Sequence, residues 1–134
     1  MTEPTFVSVD DAFAHHEAAL LRNGGKIGLL SLGALESAVA APQNRFLYEG
    51  EGWPDRAGVA QLAATYWVHV ALCHGFADGN KRVGLACFLD FLYRNGYDVT
   101  LSEDEATAMG LAIAARETDR DAVAFRVLPR LCAL

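Results

Sequence analysis

Apolar and polar positions alternate along most of this chain with the period of an α-helix. Ser8, followed three residues later by Asp11, has the spacing of a capping box and predicts a helix that runs to about Arg22, where Asn23-Gly24-Gly25 stops it. A short helix is predicted over Leu32 to Ala41, ended by Pro42. The stretch Gln43 to Trp53, with Pro54 after it, reads as irregular or weakly extended. Asp55 then opens a long helix with Val59, Leu62, Ala63, Tyr66 and Val70 at core spacing. A loop around Gly75 to Gly79 leads into a further helix, whose apolar stripe is Leu85, Phe88, Leu89 and Leu92. Asp90 and Arg94 make an i,i+4 pair there, and Asn95-Gly96 closes the helix. Ser102 and Glu105 form a second capping box for a helix to about Arg116, and a last helix is predicted over Arg120 to Leu131. The expectation is an all-α bundle in one domain, residues 1–134. A small β excursion would fit before Trp53 or near Tyr97 to Leu101.

Composition narrows the class. With 134 residues, 52% of them hydrophobic and 21% charged, the chain can bury a core without a disulfide or metal staple. Disorder, collagen-like fibre and coiled coil are excluded. The net charge of −6 repels phosphate backbones, so direct nucleic-acid binding is not expected. Cys73, Cys87 and Cys132 lie far apart in apolar helical sequence with no C-x-x-C, which predicts buried reduced thiols in a cytoplasmic protein. The start MTEPTFVSVDD has neither a basic residue nor an apolar h-region and does not read as a signal peptide. Ala57 to Ala77 runs 21 residues without a charge. Gln61, Thr65, His69 and His74 interrupt it and Gly75 ends the helix early, so a central helix of a bundle is expected rather than a membrane span.

The chemistry concentrates in His74-Gly75-Phe76-Ala77-Asp78-Gly79-Asn80-Lys81-Arg82. A histidine at a helix end is followed by a turn, an aspartate, Gly-Asn and two cations that open the next helix. Cations at a helix N-terminus oppose its dipole by a few tenths to about 1 kcal/mol each. An anion at the turn reverses that balance, because free N–H groups, the dipole and both side chains then converge on it. Phosphate suits the place, since arginine matches it bidentately and lysine neutralises it. Asp78 can offer an oxygen to Mg²⁺, and His74 can take a proton from an incoming hydroxyl. The parts together suit phosphoryl or nucleotidyl transfer. Taken one at a time, the same residues also fit plain structural roles: Asp78 or Asn80 as an N-cap, His74 against a helix dipole, Phe76 as a core plug.

HGFADGNKR resembles the signature of the Fic/Doc superfamily in its Doc ("death on curing") form, H-x-F-x-D-x-N-K-R. Asn23-Gly24-Gly25, Leu35-Glu36-Ser37-Ala38 leading to Pro42, and Phe88-Leu89-Asp90-Phe91-Leu92 ending at Asn95-Gly96 extend the likeness over roughly residues 8 to 101. The resemblance implies a compact Fic-type helical bundle with a small flap. It implies that His74 is the general base, that Asp78 holds Mg²⁺, and that Gly79, Asn80, Lys81 and Arg82 form the anion hole for nucleotide phosphates, with Phe76 a buried anchor.

Two departures bear on the reaction. Fic proteins that transfer AMP typically read G-N-G-R with a further arginine three residues on; here Lys81 replaces the second glycine and Leu85 stands at the arginine's place. Doc-type toxins resemble kinases instead, passing the γ-phosphate of ATP to a threonine of a translation elongation factor and so halting translation. The resemblance therefore implies a toxin kinase that uses ATP and Mg²⁺ and is held off by a separate antitoxin whose helix fills the groove. No self-inhibitory [ST]-x-x-x-E-[GN] pattern is present. AMP transfer in the Fic manner and a non-catalytic member that binds only a helix or a nucleotide are the alternatives.

Outside the loop, His15, His16 and Glu17 read as an exposed polar face, His69 as a satisfied core histidine, and Cys73 beside His74 as no thiolate dyad. Asn44-Arg45-Phe46-Leu47-Tyr48 sits where Fic folds place the flap that docks a target chain, and equally reads as core.

Overall fold

A computed structural model describes residues 3–50, 53 and 55–134. Among them are six α-helices: α1 (Val9–Asn23), α2 (Leu32–Glu49), α3 (Arg56–Leu72), α4 (Asn80–Arg94), α5 (Glu103–Ala114) and α6 (Arg120–Val127). A 3₁₀ turn (Leu128–Arg130) follows, and two short strands, β1 (Tyr97–Val99) and β2 (Leu131–Ala133), complete the set. The all-α expectation holds, with the β excursion at Tyr97.

The helix starts follow the capping signals. Ser8 accepts from the Asp11 N–H while Asp11 accepts from the Ser8 N–H, and Ser102 and Glu105 repeat the arrangement. Asp55 caps α3 by accepting from the Gly58 N–H.

α3 is the axis of the bundle. It packs against α4, α2, α6 and α5, and eleven of its seventeen residues are buried, on every side of the helix. That explains why its sequence is apolar and carries no charge after Arg56, and no helix among the described residues is long and apolar enough to cross a membrane. Leu62, Ala63, Tyr66 and Val70 are 0% exposed, as their spacing predicts. α4 lies close along α3 because Gly84 has no side chain: a Cβ there would sit 2.8 Å from the Trp67 carbonyl oxygen.

Five expectations are corrected. α2 does not end at Pro42 but continues to Glu49, with Pro42 buried inside it. The ring removes one backbone donor, and the turn beyond it is held by Arg45, which donates to Thr65 Oγ1 at 2.9 Å, the Gln61 carbonyl and Asp121 at 2.8 Å. The stretch from residue 43 to Glu49 is accordingly helical, neither irregular nor extended; residues 51, 52 and 54 of that reading lie outside the described residues. In α4 the buried stripe is Val83, Gly84, Cys87, Phe88, Phe91 and Leu92, leaving Leu85 half-buried and Leu89 exposed. The last helix stops at Val127 rather than Leu131, because Pro129 forces a 3₁₀ turn and the chain then pairs antiparallel with β1, Val99 opposite Leu131. That edge strand leaves Cys132 exposed, Cys73 is half-buried, and only Cys87 is a core thiol.

Candidate functional site

α3 ends at Leu72, and the chain reverses through residues 73–79 into α4. His74 takes a left-handed backbone with φ 53°, a conformation that a residue with a Cβ adopts only at some energetic cost. The side chain is exposed as a result, while Phe76, two residues on, is 2% exposed and plugs the core. The turn is tied from within by Asn80, whose Oδ1 accepts from the Phe76 N–H at 3.0 Å and whose Nδ2 donates to the Phe76 carbonyl at 3.0 Å. Gly79, with φ 85°, is the N-cap of α4. No side chain caps the helix, and among the described residues the N–H groups of Asn80, Lys81 and Arg82 have no acceptor. These free donors, the helix dipole and the exposed Lys81 and Arg82 side chains share one end of α4. Asp78 and Asn80, read from the sequence as possible N-caps, are not: Asp78 turns its Oδ1 to the Gly79 N–H at 2.9 Å and Asn80 holds the loop.

One cavity of about 260 Å³ brings His74, Asp78, Gly79, Asn80 and Lys81 together, and Arg116 joins them from the end of α5. Arg82 stands apart from this cavity, lining with Lys81 and Trp67 an apolar cleft between α4 and α5. Asp78 is exposed, and its carboxyl is held below the usual carboxylate range by the Lys26 and Gly79 N–H groups, with the charges of Arg82 and Lys26 adding to the effect. It stays a carboxylate at neutral pH. Among the described residues no three His, Cys, Asp or Glu side chains cluster into a closed metal cage. A lone exposed carboxylate beside an anion site fits Mg²⁺ that arrives with a nucleotide, since Mg²⁺ binds through one or two carboxylates plus phosphates.

Asn44–Tyr48, expected as a flap or as core, is neither extended nor wholly buried. That stretch lies in α2, with Arg45 buried, Phe46 packed on the core, and Leu47 and Tyr48 exposed. The extended segment beside the loop is 24–31 instead: Leu29 bridges Phe76, Ala77 N–H donates to the Gly28 carbonyl, and Leu30 and Ser31 donate to the Gly75 carbonyl. The glycine cluster of Asn23-Gly24-Gly25-Lys26-Ile27-Gly28 carried the signal, because three of its glycines have positive φ.

His15 and His16 are also misread as an exposed polar face. His15 bonds Asp90 at 2.7 Å across the α1–α4 contact. His16 is 7% exposed, its ring stacked on Phe76. His69 is half-buried rather than a satisfied core residue, 3.5 Å from Arg120, and burial lowers its pKa. Cys73 sits beside His74 but bonds the Gly75 N–H, and burial pushes its thiol up, away from thiolate chemistry.

The sequence model of the Fic/DOC family matches residues 6–92, from the start of α1 through most of α4. The chain belongs to the Fic/DOC family. It is 36% identical over 93 residues to the protein kinase doc of Escherichia phage P1, across 69% of this chain and 70% of that one. It is 32% identical over 103 residues to the toxin Doc of Mycolicibacterium smegmatis, across 75% of this chain and 76% of that one. In Fic/DOC terms the matched part carries the whole loop from His74 to Arg82 with the strap that flanks it, whereas Arg116 lies beyond the match.

Proposed function

We propose that this Fic/DOC chain is a toxin kinase, transferring the γ-phosphate of ATP to a serine or threonine hydroxyl of a target protein such as a translation elongation factor. The observation that carries the reading is the shared cavity: a strained, exposed His74 opens onto the same space as Asp78 and the uncapped N-terminus of α4 with Lys81. The names of the phage P1 and mycobacterial relatives, a protein kinase and a toxin, support it.

The chemistry follows from those groups. Gly79 to Arg82 form the phosphate site: the left-handed Gly79 opens α4, and the free N–H groups of Asn80, Lys81 and Arg82, the helix dipole and the Lys81 side chain serve the donor phosphates, with the Arg82 cation at the same helix end. His74 takes the proton of the target hydroxyl as its oxygen bonds to the γ-phosphorus, and the bond from that phosphorus to the β–γ bridging oxygen breaks, releasing ADP. Asp78 is the residue that would hold Mg²⁺, which supplies charge neutralisation along the phosphates. Lys81 places a charged side chain where AMP-transferring relatives keep bare backbone, and this favours phosphoryl over nucleotidyl transfer. In a toxin–antitoxin pair, a separate antitoxin helix would cover this groove until released.

The test is intact-mass analysis of a purified translation elongation factor incubated with the chain, ATP and Mg²⁺. The expected gain is one phosphate, absent with His74→Ala and with Asp78→Ala. A gain of one AMP overturns the kinase reading in favour of nucleotidyl transfer. A toxic phenotype that survives both substitutions removes chemistry as its cause.

A further inference from the structure

The cavity beside His74 has a cationic group that the loop does not supply. Arg116 lines it together with His74, Asp78 and Lys81, and also lines the adjoining groove toward His69 and Cys73. Arg116 is exposed and, like Arg22, Arg56, Arg82 and Arg126, meets no carboxylate among the described residues, so its guanidinium is free to take an anion in this cavity.

The backbone at Arg116 points the same way. α5 closes with a Schellman arrangement, in which the Arg116 N–H donates to the Ile113 carbonyl at 3.0 Å and the Glu117 N–H to the Ala112 carbonyl at 2.9 Å. The residue at the centre of that motif takes a left-handed backbone, and Arg116 has φ 57°. Glycine is the usual occupant, because a Cβ raises the energy there. The two capping bonds are main-chain bonds and need no guanidinium. A positive charge at a helix C-terminus complements the dipole, but a lysine or arginine one turn earlier would do so without backbone strain. A rule broken locally, with no compensating contact inside the protein, is what a ligand-binding side chain produces.

We propose that Arg116 is an anion-binding residue of the donor site, gripping nucleotide phosphates from the end of α5. The proposal rests on the reading of this cavity as the ATP site. A guanidinium matches two phosphate oxygens at once, which complements the point charge of Lys81. Because the family match ends at residue 92, Arg116 is an element of the site that the motif alone does not include.

The experiment is calorimetric titration of the full chain with ATP and Mg²⁺, paired with thermal melting, for the unaltered protein and Arg116→Gly, Arg116→Lys and Lys81→Ala. Arg116→Gly relieves the left-handed backbone, so its melting temperature is expected to rise by a few degrees while its ATP dissociation constant rises about ten-fold or more. Arg116→Lys should fall between the two in affinity. A structural role for the side chain predicts instead that stability falls and affinity falls with it, so a lower melting temperature together with weaker binding overturns the proposal. Unaltered affinity in Arg116→Gly, with affinity lost in Lys81→Ala, overturns the role of Arg116 and leaves the ATP reading standing. Absence of ATP binding by the unaltered chain overturns both.

Discussion

The imidazole of His16 lies flat on the ring of Phe76, centroids 3.8 Å apart and planes 8° apart, and its Nε2 lies 3.0 Å from the Asp78 carbonyl oxygen, to which it donates. One residue of α1 thereby grips both the core plug of the loop and the main chain of Asp78. Phe13 packs edge-on against the same ring at 5.7 Å, so Phe76 is clamped from two positions on α1. His16→Ala removes the stacked ring and the hydrogen bond to the Asp78 carbonyl, a loss of about 2–3 kcal/mol. His16→Gln keeps a donor but not the stack and should recover part of that loss. Chemical denaturation measures the stability, and phosphotransfer under saturating ATP measures how far the loop has slackened.

Gly25 is bound to the site by space rather than by a bond. A Cβ there would stand 2.7 Å from Asp78 Oδ2, at a φ of 119° that side-chain-bearing residues rarely adopt. Gly25→Ala must therefore push the strap off the carboxylate and break the Lys26 N–H contact to it. Stability is expected to fall by about 1 kcal/mol. Activity should fall more steeply, and the Mg²⁺ concentration for half-maximal rate should rise, because Asp78 loses the N–H that orients it. A rate titration over Mg²⁺ separates these effects.

Much of this architecture is written locally in the chain. The two capping boxes, the α3 core spacing and the Asp90–Arg94 pair, at 2.7 Å, need only neighbours three or four residues away, and each appears where its spacing places it. The misread positions depend on partners far along the chain. Helix α2 runs past Pro42 because Arg45 finds Thr65 and Asp121, 20 and 76 residues away. Leu131–Ala133 become a strand because Tyr97–Val99 offer an edge. His16 becomes part of the site because α1 crosses a loop 60 residues later. The loop from His74 to Arg82 was legible as chemistry because its residues are contiguous. Arg116, whose only local mark is a helix that ends without glycine, was not.

Glu105 ties stability to acid pH. Bidentate bonding from Arg130, at 2.7 and 2.8 Å, with the Ser102 N–H as a second donor, lowers its pKa from 4.5 to about 2. A carboxylate depressed in the folded state contributes stability that is complete above its unfolded pKa and is lost as pH falls through the folded one. The contribution is thus present above pH 4.5 and disappears toward pH 2. Glu105→Gln should flatten the stability profile in that window while leaving its shape at pH 6–8 unchanged. Melting temperatures across pH 2–7 for the two proteins give the comparison.

Asn80 has two tasks that substitution can separate. Its side-chain amide closes the turn on the Phe76 main chain through one accepted and one donated bond, and its backbone N–H is one of the free donors at the start of α4. Asn80→Ala loses both side-chain bonds and leaves the Phe76 N–H and carbonyl without these partners, a loss of about 1–3 kcal/mol. Asn80→Asp keeps the bond from the Phe76 N–H and gives up the one to the carbonyl. The new carboxylate also gains about 0.3–1 kcal/mol from the helix dipole, so its stability should stay close to that of the unaltered chain. Its effect on the anion is the opposite of neutral. A negative charge would then stand among the N–H groups and cations of the proposed phosphate site, and ATP binding should weaken at least as much as in Asn80→Ala. Added salt screens an exposed like-charge repulsion and leaves a lost hydrogen bond unchanged. The affinity deficit of Asn80→Asp should therefore shrink between low and physiological ionic strength, while that of Asn80→Ala should not. Equal salt dependence in the two variants would mean that the anion does not sit at this helix terminus.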